Sequence, residues 1–242
     1  MPLFDAVFFD IGSTLIPSAD IIARAARYAS AELEREGLIS NAETFLACYQ
    51  QADADVNPPH ISHVYSDARI IAHAETLADL AHDHRRALYF LHAFRESMRA
   101  QIQPVAKFLE LFHVLAEANV LRGIISDGSV EGQSTVLFRL GLLPLVSPQL
   151  CLISEAMGVE KNAPEFYRRA LEVAQLEPQR ALMIGDHLER DVAVPQSVGM
   201  KAVHLRAHTP PNFILQEKNV ALHAIRPDAV FDNWEELIRW LW

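Results

Sequence analysis

From Pro104 to the C-terminus, short apolar runs alternate with segments of helical periodicity. Strands that alternate with crossover helices form a parallel sheet with helices on both of its faces. An earlier apolar run at residues 5–10 ends in Asp10 and predicts a first strand of the same sheet. The other predicted strands are residues 121–126, 151–154, 181–185, 201–205 and 229–231. The predicted helices between and after them are residues 104–118, 130–140, 164–174, 191–198 and 234–242.

Between the first strand and Pro104 the pattern is helical only. Apolar residues recur at helical spacing in three groups, Gly37 is a stop signal, and Asn41 is a plausible N-cap. Asn57-Pro58-Pro59 predicts a break between helices. The groups are Ile21, Ala25, Ala29 and Leu33; Ala68, Ile71, Ala74, Leu77, Ala78 and Ala81; and Leu88, Leu91, Phe94 and Met98. The predicted fold class is therefore α/β, with a Rossmann-like parallel sheet core (residues 1–16 and 103–242) and an inserted all-helical cap domain (residues 17–102).

Composition excludes several classes of partner. The formal net charge is −10 and no block of basic residues occurs, which argues against nucleic acid and anionic membranes as partners. The two cysteines, Cys48 and Cys151, lack metal-ligand spacing and fit a reducing compartment. The first residues lack the features of a secretion signal, and no apolar run reaches the ~20 residues that span a membrane. We therefore expect a cytoplasmic protein; the sequence leaves its oligomeric state open.

Polar residues stand where the predicted strands end. Asp10, Ser126 and Asp186 each follow or close an apolar run, and Lys161 comes a few residues after another. Parallel sheets bind ligands beyond the carboxyl ends of their strands. A buried carboxylate at such a position is costly unless it is paired or used. This arrangement predicts a site at one edge of the sheet.

Four stretches containing these residues resemble the motifs of the haloacid dehalogenase superfamily, whose members are mostly Mg²⁺-dependent phosphatases. The resemblance covers nearly the whole predicted core, and the cap only by position and helicity. The stretches are Val7-Phe8-Phe9-Asp10-Ile11-Gly12-Ser13-Thr14-Leu15; Gly123-Ile124-Ile125-Ser126-Asp127-Gly128; Glu160-Lys161-Asn162-Ala163-Pro164; and Leu182-Met183-Ile184-Gly185-Asp186-His187-Leu188-Glu189-Arg190-Asp191.

The resemblance implies the catalytic roles. Asp10 is the expected nucleophile, which forms an aspartyl-phosphate, and Lys161 is the expected positive charge beside it. The Ser126 hydroxyl and the following amide, that of Asp127, are expected to donate to phosphoryl oxygens. Thr14 is expected to help hold the nucleophile loop. The implied substrate is a small phosphorylated metabolite, a phosphomonoester.

The resemblance also implies a Mg²⁺ site. Asp10, Asp186 and the main-chain carbonyl of Gly12 are the expected direct ligands, and Asp191 would ligate or hold a ligating water. Mg²⁺ prefers carboxylates, carbonyls and water. A carbonyl ligand needs no particular side chain, so Gly12 can still serve.

Gly12 is nevertheless the main departure from the family pattern. Family phosphatases have an aspartate two residues after the nucleophile, which protonates the leaving group and then activates water. Loss of a general acid/base costs about 10²–10⁴-fold in rate. His187, a cap residue, or a substrate with a good leaving group could compensate. Gly12 could also hold a backbone angle that aspartate dislikes, and Ser13 replaces the usual glycine of the motif.

Two other functions remain open at this point. A 2-haloacid dehalogenase also lacks the second aspartate, but such enzymes do not use Mg²⁺ and lack the Gly-Asp-x-x-x-x-Asp pattern of Gly185–Asp191. A weakly active phosphate- or partner-binding scaffold would retain the same ligands. Phosphonate cleavage through a cap lysine is excluded because no lysine precedes Lys107.

Outside the motifs, His60-x-x-His63 is typical of a solvated loop more than of a zinc site. His82 and His84, beside Arg85 and Arg86, predict an exposed turn. The arginines of the insert predict solvated helix faces, one of which could reach a substrate anion: Arg24, Arg27, Arg35, Arg69, Arg85 and Arg86.

Overall fold

The computed structural model describes residues 3–56, 67–208 and 224–241. The chain divides into two compact units, one made of Met1–Ser18 with Gln103–Trp242 and the other of Ala19–Ile102. We call them the α/β unit and the helical unit. The roles of catalytic core and cap, which the sequence suggests for them, stay predictions.

The α/β unit contains one six-stranded parallel sheet, in the order β3-β2-β1-β4-β5-β6. The strands are β1 (Ala6–Phe9), β2 (Leu121–Ser126), β3 (Cys151–Ile153), β4 (Ala181–Gly185), β5 (Lys201–Leu205) and β6 (Ala229–Phe231). The predicted α/β fold class is therefore confirmed. Because β1 pairs with both β2 and β4, the residues after these three strands emerge side by side.

The helices of this unit follow the predicted alternation, with two differences: the short helix at Ser154–Met157, which was not predicted, and the turn after β4. They are α5 (Ala106–Glu117), α6 (Val130–Leu140), α7 (Ser154–Met157), α8 (Pro164–Ala174), α9 (Val194–Ser197) and α10 (Trp234–Leu241), numbered after the four of the helical unit. Short 3₁₀ turns occupy Leu143–Leu145 and Pro178–Arg180.

The larger difference is the turn after β4. A single helix over 191–198 was expected, but a π-helix at Leu188–Ala193 precedes α9. Pro195 has no N–H to donate to the carbonyl of Asp191, and its ring would clash with that carbonyl in an α-helix. A wider turn before Pro195 avoids that clash, and π-turns occur frequently at functional sites.

The core of the sheet depends on close packing around β1, whose four residues are all buried. Phe8 pairs in register with Gly123 on β2. A Cβ atom at position 123 would lie 2.3 Å from the Phe8 ring, so only glycine leaves room for this ring. The sequence thus combines a large aromatic residue on one strand with a glycine on its neighbour.

The helical unit has its own core. Its helices are α1 (Ser18–Arg35), α2 (Ala42–Val56), α3 (Asp67–Leu77) and α4 (His84–Gln101). Asn41 accepts a hydrogen bond from the Thr44 N–H at 2.8 Å, as expected of an N-cap. The predicted stripe of α1 is buried: Ile21, Ala25, Ala29 and Leu33. The predicted Asn57-Pro58-Pro59 break and the His60/His63 pair lie outside the described residues.

The predicted stripe of α4 is wrong in part: Leu91 and Phe94 pack against the core of the helical unit, but Leu88 does not. Leu88 is 69% exposed, whereas Ala87, Phe90 and Ala93 are buried. Leu77, in the α3 stripe, is also 43% exposed.

Arg86, predicted to be solvated, is buried. It donates to Glu75 Oε1 at 2.5 Å and to the Leu38 carbonyl at 3.0 Å. Helical spacing alone does not distinguish a buried ion pair from an exposed one, which explains the error at Arg86.

Within the described residues, no helix is both long and apolar enough to cross a membrane.

Candidate active site

Three neighbouring strands deliver polar residues to the same edge of the sheet. Phe9 pairs with Ile124 on β2 and with Ile184 on β4, and the Asp10 N–H donates to the Ile184 carbonyl at 2.9 Å. Asp10 therefore lies one residue beyond the central strand, between Ser126 at the end of β2 and Asp186 just after β4. This is the edge at which parallel sheets bind ligands.

Asp10, Asp186 and Asp191 form a cluster of carboxylates. One oxygen from each lies within 4.8 Å of the others, and Asp10 and Asp191 are buried. Asp191 reaches the cluster because it packs directly on Gly185. A Cβ atom at position 185 would lie 2.3 Å from Asp191 Cγ, so any larger residue there would displace this carboxylate.

Lys161 joins two members of the cluster. Its Nζ donates to Asp10 Oδ1 at 2.6 Å and lies 2.5 Å from Asp191 Oδ1, and its side chain is 3% exposed. Burial lowers the pKa of Lys161, but the charges of Asp10 and Asp191 outweigh burial and hold it above its usual value. Lys161 is therefore a permanent positive charge beside Asp10.

The carboxylates remain incompletely neutralised. Burial, opposed by Lys161 and reinforced by Asp191, raises the pKa of Asp10 to about 6. Burial and the neighbouring Asp10 and Asp191 raise the pKa of Asp186 well above its usual value. Asp191 differs, because Lys161 and Arg190 overcome its burial and lower its pKa. A cluster of oxygen ligands that resists ionisation fits a hard divalent cation, which would neutralise it.

Residues on the other side of Asp10 supply hydroxyl and amide groups. Ser126 and Thr14 are buried, and the Thr14 hydroxyl has no hydrogen-bond partner within the described part of the chain. The Asp127 carboxylate is already engaged: Oδ1 accepts the Lys161 N–H at 3.0 Å and Oδ2 accepts Arg190 Nη1 at 3.1 Å. Of Asp127, only the main-chain amide matches the donor role inferred from the sequence.

Gly12 does not hold a left-handed backbone angle, in contrast to the possibility raised by the sequence. The left-handed residue is Ser13, with φ of 55°. Among the described atoms, a Cβ at position 12 would contact only Ser18 Oγ, at an ordinary 3.4 Å. Ser18 Oγ in turn accepts the Ser13 N–H at 3.2 Å. The backbone thus has room for a side chain at the position where the family pattern has its second aspartate.

His187 is a poor replacement for that aspartate. Its Nδ1 accepts the Arg190 N–H at 3.3 Å, which places the ring proton on Nε2. Burial and the charge of Arg190 lower its pKa to about 4. The ring is therefore neutral near pH 7 and is not a cationic proton donor.

Three residues around the site had no assigned role in the sequence analysis. Arg190 pairs with Asp127, Tyr167 donates to the Arg190 carbonyl at 2.5 Å, and His204 on β5 contacts the Asp186 carbonyl at 2.8 Å. Arg190 had a detectable signal, because it stands directly before a predicted metal ligand. Nothing in the sequence pattern marks Tyr167 or His204.

The sequence matches the haloacid dehalogenase-like hydrolase family over residues 4–199. The chain belongs to the haloacid dehalogenase-like hydrolase family. The resemblance found in the sequence motifs is thereby confirmed, and the chain is a hydrolase of this family.

Similar curated proteins include two glyceraldehyde 3-phosphate phosphatases. The chain is 25% identical to that of Pyrococcus abyssi over 204 residues, which cover 83% of this chain and 81% of the relative. It is 26% identical to that of Methanopyrus kandleri over 207 residues, which cover 84% of each chain.

Solved structures share the fold over almost the full length. The haloacid dehalogenase-like hydrolase YfnB of Bacillus subtilis, bound to magnesium, aligns with a TM-score of 0.69 and 20% identity, covering 98% of each chain. A 2-haloacid dehalogenase of Pseudomonas syringae aligns with a TM-score of 0.63 and 23% identity, covering 98% of this chain and 99% of that one. Likeness at these identities shows the fold, and does not decide between the two reactions.

Proposed function

We propose that the protein is a Mg²⁺-dependent phosphatase of a small phosphomonoester, and that Asp10 forms the aspartyl-phosphate. The observation that carries the proposal is the buried Asp10 carboxylate, held by Lys161 within a cluster of two further carboxylates at the edge of the sheet. The glyceraldehyde 3-phosphate phosphatases of Pyrococcus abyssi and Methanopyrus kandleri, which match 83% and 84% of this chain, support the same reaction. We further propose a small phosphorylated metabolite as substrate.

In this proposal Asp10 attacks phosphorus, the bond from phosphorus to the ester oxygen breaks, and the alkoxide takes a proton. Water then attacks the aspartyl-phosphate, which releases inorganic phosphate and restores Asp10. Lys161 neutralises charge on the phosphoryl oxygens, while the Ser126 hydroxyl and the Asp127 amide donate hydrogen bonds to them. Thr14 is a further substrate-binding residue in this proposal, because its buried hydroxyl has no hydrogen-bond partner among the described residues.

Asp10, Asp186 and the Gly12 carbonyl would hold Mg²⁺, with Asp191 as a further ligand or as the holder of a ligating water. When bound, Mg²⁺ supplies positive charge for the phosphoryl group. The chain offers no carboxylate at position 12 for proton transfer. In this proposal the leaving group takes its proton from solvent, or leaves as a stable anion.

The carboxylate cluster is also the reason to prefer this reaction over carbon–halogen cleavage. The dehalogenases of the superfamily do not use Mg²⁺, so a haloacid dehalogenase would have no use for three carboxylates within 4.8 Å. A weakly active binding scaffold would keep the same cluster and show little turnover. It is separated from an enzyme only by measuring phosphate release.

Calorimetry is expected to show Mg²⁺ binding that Asp186→Asn weakens and that falls with pH. The reason is competition with protons: Mg²⁺ requires the ionised carboxylate, and the pKa of Asp10 is raised to about 6. The pKa of Asp186, a second proposed ligand, is raised as well, so this carboxylate adds to the competition. Below about pH 6, affinity should fall roughly tenfold per pH unit for each proton displaced.

The matched control for this titration is Asp232→Asn, at a side chain that is 69% exposed. It should bind Mg²⁺ like the wild type. Equal binding by wild type and Asp186→Asn would contradict the proposed ligand set, and so would an affinity that stays flat down to pH 5.

Turnover is expected to depend strongly on the leaving group. Phosphate release with Mg²⁺ should be fast for acetyl phosphate and p-nitrophenyl phosphate, whose leaving groups depart as stable anions. It should be about 10²-fold or more slower for alkyl phosphates, which need a proton. The panel should include glyceraldehyde 3-phosphate, because curated relatives carry that activity in their names.

A complete lack of Mg²⁺-dependent phosphate release across the panel would refute the phosphatase and favour the scaffold. Chloride or bromide release from 2-haloacids, without added metal, would favour the dehalogenase. A rate that is independent of leaving-group pKa, with chemistry rate-limiting, would mean that another residue supplies the proton.

A further inference from the structure

Arg190 is a cation whose backbone is fixed next to the carboxylate cluster. It lies in the π-helix Leu188–Ala193, directly before Asp191. Its N–H donates to His187 Nδ1 at 3.3 Å, and its carbonyl accepts the Tyr167 hydroxyl at 2.5 Å. The side chain is 26% exposed. Both polar groups of its backbone are thus engaged.

The side chain of Arg190 completes a chain of contacts that ends at Asp10. Its Nη1 donates to Asp127 Oδ2 at 3.1 Å, and Asp127 Oδ1 accepts the Lys161 N–H at 3.0 Å. Lys161 Nζ then donates to Asp10 Oδ1 at 2.6 Å. Three loops, those after β2, β3 and β4, are therefore tied together by one guanidinium and one carboxylate.

The charges of the site show why this cation matters. Four carboxylates (Asp10, Asp127, Asp186 and Asp191) face two cations, Lys161 and Arg190. Lys161 is already shared by two carboxylates. Arg190 uses one donor on Asp127, and its buried Nε has no hydrogen-bond partner among the described residues. Its charge lies beside the cluster, because Arg190 directly precedes Asp191 in the π-helix and its side chain pairs with Asp127.

We propose that Arg190 is a positioning residue that fixes Lys161 against Asp10 through Asp127 and offsets the negative charge that a phosphoryl group meets at this site. The inference rests on the proposed function, because it assumes that the site receives a phosphoryl anion. It adds a role for a residue outside the motif aspartates and Lys161.

Two binding measurements separate this role from a general structural one. In Arg190→Gln a positive charge is lost beside the cluster, so Mg²⁺ alone should bind about fivefold more tightly. Inorganic phosphate, titrated into the Mg²⁺-saturated protein, should bind about tenfold more weakly. Local disruption of the site would weaken both, so opposite changes are the signature of the proposed role.

Further variants test the route through Asp127. Arg190→Lys keeps the charge but loses the planar guanidinium, and should restore Mg²⁺ affinity to the wild-type value. Asp127→Asn should weaken Mg²⁺ binding, because one negative charge is lost. The double variant Asp127→Asn/Arg190→Gln keeps the net charge of the wild type. It should therefore bind Mg²⁺ like the wild type. Its kcat should stay reduced, because Asp127 and Arg190 no longer hold Lys161 in position.

Arg168→Gln is the matched control. Arg168 lies on α8 with its side chain 58% exposed, and both affinities should be unchanged there. In Arg190→Gln we expect kcat for p-nitrophenyl phosphate to fall about tenfold or more. Far-UV circular dichroism checks that each variant is folded.

The outcomes separate this inference from the proposed function. If wild type releases no phosphate from any ester, yet Arg190→Gln weakens phosphate binding and strengthens Mg²⁺ binding, the inference stands and the phosphatase proposal fails. If wild type turns over and Arg190→Gln leaves kcat and both affinities unchanged, the inference is wrong and the phosphatase stands. Parallel loss of both affinities in Arg190→Gln, or no phosphate binding by the wild type, overturns the inference.

Discussion

Replacing Asp10 by asparagine is expected to reduce phosphate release on the order of 10⁴-fold or more. The asparagine side chain has nearly the same shape, and its carbonyl oxygen can still accept the hydrogen bond from Lys161 that Asp10 Oδ1 accepts at 2.6 Å. It has no anionic oxygen to attack phosphorus, so no covalent intermediate forms. The measurement is inorganic phosphate release from p-nitrophenyl phosphate at saturating Mg²⁺, with folding checked by circular dichroism.

Asp5→Asn is the matched control, because Asp5 precedes the same strand at the opposite edge of the sheet. It pairs with Arg180 at the surface, with the Asp5 side chain 44% exposed. Turnover should remain at the wild-type level there. Residual activity of Asp10→Asn above a few per cent would rule out covalent catalysis at Asp10. In that case, mass spectrometry of wild-type enzyme trapped during turnover would show no phosphoryl adduct at Asp10.

Introducing an aspartate at position 12 is expected to have the second-largest effect on turnover. Gly12→Asp should raise turnover of alkyl phosphates by about 10²-fold or more and leave acyl phosphates nearly unchanged. The backbone of Gly12 is outside the left-handed region, and a Cβ there contacts only Ser18 Oγ at 3.4 Å among the described atoms. The carboxylate would therefore lie near Ser18 without strain at its own backbone.

Gly12→Asn is the control that separates acid/base catalysis from steric effects, since it adds the same volume without a titratable group. A second variant, Gly12→Asp/Ser13→Gly, removes the strain of Ser13, whose φ of 55° costs roughly 1 kcal/mol in a residue with a side chain. If neither aspartate variant exceeds Gly12→Asn on alkyl phosphates, position 12 is not where the proton transfer of this enzyme would occur.

It could be predicted that the site residues lie close together, because the carboxyl ends of parallel strands all lie on the same side of the sheet. Once β1, β2 and β4 were recognised as apolar runs, Asp10, Ser126 and Asp186 had to emerge at one edge. The contact of Lys161 with Asp10 depended on the motif resemblance, because the loop after β3 has no periodicity to position it. The chemical roles of these residues stay predictions.

Other features depend on atomic detail that residue patterns do not carry. The π-helix arises from the geometry around Pro195, which a pattern of apolar residues does not register. Whether position 12 or 13 takes the left-handed angle depends on how the loop closes onto Ser18. The buried face of α4 is set partly by the Glu75–Arg86 pair, and charged residues carry no signal of burial in a hydrophobic pattern.

The division of the chain into two units has a consequence for how its unfolding should be followed. Each unit has its own apolar core, so each can melt as a separate cooperative transition, and one free energy of unfolding then does not describe the protein. All three tryptophans (Trp234, Trp240 and Trp242) belong to the α/β unit, and the helical unit has none. Intrinsic tryptophan fluorescence therefore follows only the unit that contains Asp10, whereas circular dichroism at 222 nm records both. A ligand of the carboxylate cluster should shift the fluorescence transition through mass action, whatever happens to the other transition.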